Sequence, residues 1–69
     1  MRILVTDEFN DKIFKGDADE FLELNDYDEE LEIELNNLNR MDVGDSVDFV
    51  TFLNQSYNIT KIVNNNYYE

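Results

Sequence analysis

Between Gly16 and Asn39 the chain has no Lys or Arg. Within that window the stretch Asp17–Glu34, DADEFLELNDYDEELEIE, carries ten acids in eighteen residues: Asp17, Asp19, Glu20, Glu23, Asp26, Asp28, Glu29, Glu30, Glu32 and Glu34. The acids are interleaved with Ala18, Phe21, Leu22, Leu24, Tyr27, Leu31 and Ile33. A solvated acidic tail is poor in such residues. The stretch must therefore fold with its apolar groups on a core and its carboxylates outward. Without a base at three- or four-residue spacing, repulsion on that outer surface is unrelieved.

Two local signals divide the stretch. Asp17 suits a helix N-cap, Glu20 follows at capping-box spacing, and Asp19 and Glu20 suit the positive end of a helix. These features predict a helix from Ala18 to about Leu24, ended by Asn25-Asp26. From Tyr27 the odd positions include Leu31, Ile33 and Leu35, and the even ones Asp28, Glu30, Glu32 and Glu34. This alternation favours a half-buried strand. The competing reading is a helix from Asp26 to Arg40, built on Glu and Leu propensity and on Leu31, Leu35 and Leu38 at helical spacing. That helix would leave Ile33 on a wet face.

Elsewhere, Arg2–Thr6 and Lys12–Lys15 read as strands paired in a hairpin across Asn10-Asp11, with Gly16 as terminator. Ser46–Leu53 reads as a strand with Val47, Phe49, Thr51 and Leu53 on one face and Asp48, Val50 and Phe52 on the other. With apolar groups on both faces, it is either central in the sheet or in contact with a second subunit. Tyr57–Val63 is the last strand, and Asn64–Asn66 a polar tail. The expected fold is α+β in one domain spanning residues 1–69: an N-terminal β-hairpin, one short helix, then a largely antiparallel three-strand segment, forming one small sheet. A chain of 69 residues buries a limited core, and with no Cys it has no disulfide. Self-association is the remaining support, so a homodimer is expected, through a sheet edge or the apolar surface around Val50 and Phe52.

Several chemistries are excluded by composition. There is no His and no Cys, and Ser occurs only at positions 46 and 56, so no Ser-His-Asp or Cys-His nucleophile is possible. No enzymatic activity and no cofactor are expected. The Asp26-x-Asp28-x-Glu30 spacing resembles the start of a calcium loop. However, position six is Leu31 rather than Gly and position twelve is Asn37 rather than Glu, so no metal site is assigned. The apolar run near the N-terminus, Ile3–Val5, is too short for a signal peptide or a membrane span, and a cytoplasmic protein is expected. A net charge of −12 opposes direct binding to nucleic acid or to an anionic membrane and favours a basic partner.

On the strand reading, Glu30, Glu32 and Glu34 project to one side at intervals of about 6.7 Å, against one phosphate per about 3.4 Å of axis on each DNA strand. Asp19, Glu20 and Glu23 supply a second row on the helix. Such rows imitate a nucleic-acid backbone for Lys and Arg groups placed to contact phosphates. In size, charge, lack of His and Cys, and the run DEELEIE, the chain resembles the small acidic bacteriophage proteins that mimic DNA and inhibit host DNA-binding proteins. Among these it is similar to the inhibitors of the histone-like nucleoid protein HU. The resemblance implies a dimeric competitive inhibitor acting in the host cytoplasm on the basic surface of such a protein, with the ten acids of Asp17–Glu34 as the contact region. The rival expectation is an interaction module that docks through Val50, Phe52, Tyr57, Tyr67 and Tyr68, with charge serving solubility.

Overall fold

The computed structural model describes residues 1–51 and 53–63. Its elements are β1 (Arg2–Asp7), β2 (Lys12–Asp17), α1 (Ala18–Leu24), α2 (Glu29–Asn39), β3 (Ser46–Val50) and β4 (Ser56–Ile62). The four strands form one antiparallel sheet in the order β2-β1-β4-β3. The α+β class is as expected, with two helices and four strands.

The β1–β2 turn is built on Asp7. Its carboxylate accepts from the backbone N–H groups of Phe9 (2.8 Å) and Asp11 (2.9 Å), while Asn10 takes a left-handed conformation at φ 68°. Asn tolerates that region because its short side chain bonds locally. Both strands run further than predicted. Gly16 lies inside β2, opposite Ile3, rather than ending it. A side chain there would crowd the core, since a Cβ on Gly16 would sit 3.1 Å from Cζ of Phe14.

Register sets the two faces of the sheet. Ile3 opposes Gly16, Val5 opposes Phe14 and Ile59, and Phe49 opposes Tyr57, so these side chains share one face. Ile3, Val5, Phe49 and Ile59 are buried together with Ala18 and Phe21 of α1 and Leu31, Leu35 and Leu38 of α2. Both helices therefore cover the same face, and the other face is open. Phe14 and Phe21 extend the core toward β2 with ring centroids 5.1 Å apart.

The second helix corrects the strand expected from Tyr27 to Leu35. Asp28 caps it, accepting from Glu30 N–H at 2.9 Å and Leu31 N–H at 3.1 Å. Glu29, Glu30 and Glu32 occupy its first turn, where negative charge is stabilised by the helix dipole. Leu31, Leu35 and Leu38 are all buried, which the alternating pattern would not have achieved for Leu38. Ile33 is the residue left over, 58% exposed. The C-terminal carbonyls receive a cation from outside the helix, as Lys61 Nζ on β4 donates to the carbonyls of Asn39 (2.9 Å) and Met41 (2.7 Å).

The strand expected at Ser46–Leu53 stops at Val50, with the chain turning through Thr51 and Asn54. It is an edge strand, so the central placement offered for it is corrected: β1 and β4 are central. Apolar groups on both its faces follow from α2 lying against one side and solvent against the other. Phe52, Tyr67, Tyr68 and the tail Asn64–Asn66 lie outside the described residues.

Candidate functional site

Seven of the ten acids of the sequence motif lie on α1 and α2, Asp17 ends β2, and Asp26 and Asp28 lie between the two helices; the structure sorts them into roles. Asp17 and Asp28 are N-caps: Asp17 Oδ1 accepts from Asp19 N–H at 2.9 Å, alongside the two bonds to Asp28 already described. Asp26 is the C′ residue of a Schellman ending to α1. Its N–H donates to the Glu23 carbonyl (3.1 Å), and that of Tyr27 reaches back to Leu22 (2.9 Å). Asp26 and Tyr27 are both left-handed, at φ 55° and 56°. Glycine would meet that requirement without strain, and a tyrosine there is an outlier.

The other seven acids have no such backbone role. Asp19, Glu20, Glu23, Glu29, Glu30 and Glu32 are exposed. Glu34 is half-buried and accepts from Asn37 Nδ2 at 3.4 Å. The expected single row of Glu30, Glu32 and Glu34 is corrected by the helix. Two residues correspond to about 200° of helical rotation, so Glu32 points away from the other two. Glu30 and Glu34, one turn apart, face β3. Glu32 faces α1 and lines a shallow groove with Asp19, Leu22, Leu35 and Asn36.

Two adjoining hollows run along the α2–β3 boundary. One, of about 290 Å³, is lined by Glu30, Ile33, Glu34, Asp48, Phe49 and Val50. The other, of about 370 Å³, is lined by Asp28, Glu29, Glu30, Val50 and Thr51. Asp48 was missed by sequence reasoning, because its proximity to Glu30 and Glu34 follows from α2 packing on β3, and no local pattern encodes it. Its carboxylate accepts from Asn58 Nδ2 at 3.1 Å on the open face. Ile33 and Val50, 58% and 49% exposed, make the same boundary partly apolar.

The bases lie elsewhere. Register puts Arg2, Lys12 and Lys15 on the open face with Leu4 and Thr6, Lys61 is engaged at the end of α2, and Arg40 is the exposed C-cap residue of that helix. Three of the five bases thus lie on the β1–β2 part of the open face, and the other two stand at the C-terminal end of α2. Among the described residues, no group of three carboxylates converges closely enough to hold a metal ion. None of their helices is long and apolar enough to cross a membrane. Comparison with protein-family models, with curated proteins and with solved structures gave no match.

Proposed function

We propose that the chain is a DNA-mimicking inhibitor that occupies the basic nucleic-acid-binding surface of a host DNA-binding protein, such as a nucleoid-associated protein, and competes with DNA. One observation carries this reading. Seven acids of the two helices serve no backbone cap, six of them are exposed, and no base stands among them: Arg2, Lys12 and Lys15 lie on the open face, and Arg40 and Lys61 stand at the C-terminal end of α2. Outward residues need only be polar, and mixed charge would meet that need with less self-repulsion. The helical spacing suits the role differently from the expected strand. Glu30 and Glu34 are separated by about 6 Å of helix rise, and α1 contributes Asp19, Glu20 and Glu23 as a second acidic ridge.

The test is competition. A labelled DNA duplex bound to a purified histone-like protein is titrated with the chain at low salt and again at physiological salt. Displacement that weakens steeply with salt is the expected result. No displacement at any salt, across several basic DNA-binding proteins, rejects the reading. A homodimer belongs to the same proposal, with the apolar surface expected around Val50 and Phe52 as its contact. Sedimentation at tens of micromolar tests it, and a monomer there removes it without affecting competition.

The rival reading, docking through apolar surface, is favoured by the exposure of Ile33 and Val50 beside each other at the α2–β3 boundary. Of the residues expected to dock in this way, Tyr57 is half-buried against the core, with its hydroxyl donating to Gln55 Oε1 at 3.0 Å. Replacing Glu30 and Glu34 with Gln separates the two readings. Unchanged affinity supports apolar docking, and a loss supports mimicry.

A further inference from the structure

Among the described residues, β3 ends the sheet with half of its backbone unused. The ladder to β4 alternates, and two of its bonds fix the phase: Lys61 N–H donates to the Asp45 carbonyl and Thr51 N–H donates to that of Gln55, both at 2.9 Å. In an antiparallel pair only every second residue bonds its partner. Val47 and Phe49 are in phase with Asp45 and Thr51 and face β4. Ser46, Asp48 and Val50 therefore aim their N–H and C=O groups away from the sheet. Beside that edge lies the groove of Glu30, Ile33, Glu34, Asp48, Phe49 and Val50.

We infer that the β3 edge and this groove take an extended segment of a cationic protein by strand addition. The inference rests on the proposed basic partner and names how one part of it is held. Its main chain pairs with Ser46, Asp48 and Val50. Side chains on one side of the incoming strand enter the groove, where an aliphatic group covers Ile33 and a Lys or Arg reaches Glu30 and Glu34. Those on the other side lie beside Asp48 and Val50 on the open face. Main-chain bonds supply affinity in this mode, and alternate side chains supply selectivity.

Charge selects this occupant over a second copy of the chain. Asp48 is the middle residue of β3, so a symmetric antiparallel pairing of two β3 strands sets Asp48 against itself. Like charges directly opposite destabilise a ladder. The pairing would also bring together two sets of Glu30 and Glu34. The edge repels its own kind and attracts a basic strand.

The probe is the nine-residue peptide Lys-Lys-Val-Val-Lys-Lys-Val-Val-Lys, which carries both residue types on each side of an extended strand, with acetyl and amide ends. The controls are the same peptide N-methylated at every backbone amide, which removes the donors of both edges, and a peptide of equal charge with Pro in place of each Val. The expected result is slowed amide exchange at Ser46, Asp48 and Val50, with both controls binding at least tenfold more weakly. Equal binding of all three peptides, or protection elsewhere only, overturns the proposal. Ser46→Pro provides a second test, because proline is tolerated at the first residue of a strand and on an edge with its N side outward. A folded Ser46→Pro chain should lose peptide affinity. If it and the peptide controls bind unchanged while DNA competition persists, strand addition is wrong and the mimicry reading survives. Strand addition to the peptide without DNA competition rejects mimicry and keeps strand addition.

Discussion

At the β2 edge the exposed backbone is interrupted by a bulge at Ile13, where Val5 pairs with Phe14 and Thr6 with Lys12, and Lys12 and Lys15 flank it. The β3 edge continues in register from Ser46 to Val50 and has neither bulge, Lys nor Pro. Exposed edges invite pairing, and bulges and lysines are the usual means of preventing it. One edge of this sheet is therefore closed to any strand. The other is closed by Asp48 and the α2 acids only to strands of the same sign. On this contrast, the charge of the fold acts as a filter placed next to usable backbone.

The edges also differ in how firmly they are anchored, and the same substitution on each side tests this. Phe49 of β3 is 4% exposed, whereas Phe14 of β2 is only partly buried. Phe49→Ala should cost about 3–5 kcal/mol, enough to unfold most of a domain this small. Phe14→Ala should cost less, although it also loses the Phe21 ring contact. Thermal melts that rank the two in the reverse order would mean that β3 is the looser edge.

A second comparison removes charge from each edge in turn. The triple change Glu30→Gln, Glu34→Gln and Asp48→Asn should weaken binding of a basic partner roughly tenfold or more, from three ion pairs of modest strength. Lys12→Gln with Lys15→Gln should leave that affinity unchanged within about twofold. Equal losses at both edges, measured by titration calorimetry, would break the asymmetry.

Gly16→Ala probes the closed edge from inside. The new methyl group would meet the Phe14 ring at 3.1 Å, so the cost should be about 1–3 kcal/mol by denaturant titration. The smallest effect concerns salt. Raising NaCl from about 20 to about 150 mM should increase the melting temperature by a few degrees, because the Debye length shortens from roughly 20 to about 8 Å. The increase should be smaller in the triple variant. A fall in melting temperature over that range would contradict self-repulsion among the acids.

Much of this was readable from local chemistry. Asp17 predicted the start of α1 because a cap is a property of a few adjacent residues. The β1–β2 hairpin and the faces of β3 were legible for the same reason. The second helix was less so, because Leu31, Ile33 and Leu35 satisfy the two-residue period of a strand as well as part of a helical stripe. Leu38 and the Asp28 cap decide for the helix, and the exposure of Ile33 is what that choice costs. The acids of the site were legible as exposed groups, but their arrangement was not. That Glu32 parts from Glu30 and Glu34, and that Asp48 joins them, depends on the helix and on α2 meeting β3. The edge position of β3 depends on β1 pairing with β4, which lies far from it along the chain.

That last pairing has a consequence for how the molecule comes into being. β1 and β4, the first and last of the described strands, are neighbours at the centre of the sheet, with Arg2 opposite Ile62 and Asp7 opposite Tyr57. While the chain is being synthesised, the β1–β2 hairpin and both helices emerge without the strand that joins their half of the sheet to β3. Lys61, which closes the end of α2, arrives with that same strand. The fold should therefore be gained in one late step, once β4 clears the ribosome, and lost in one step. Until then the chain's apolar residues have only their acidic neighbours to keep them apart from other chains, a task for which charge repulsion is well suited.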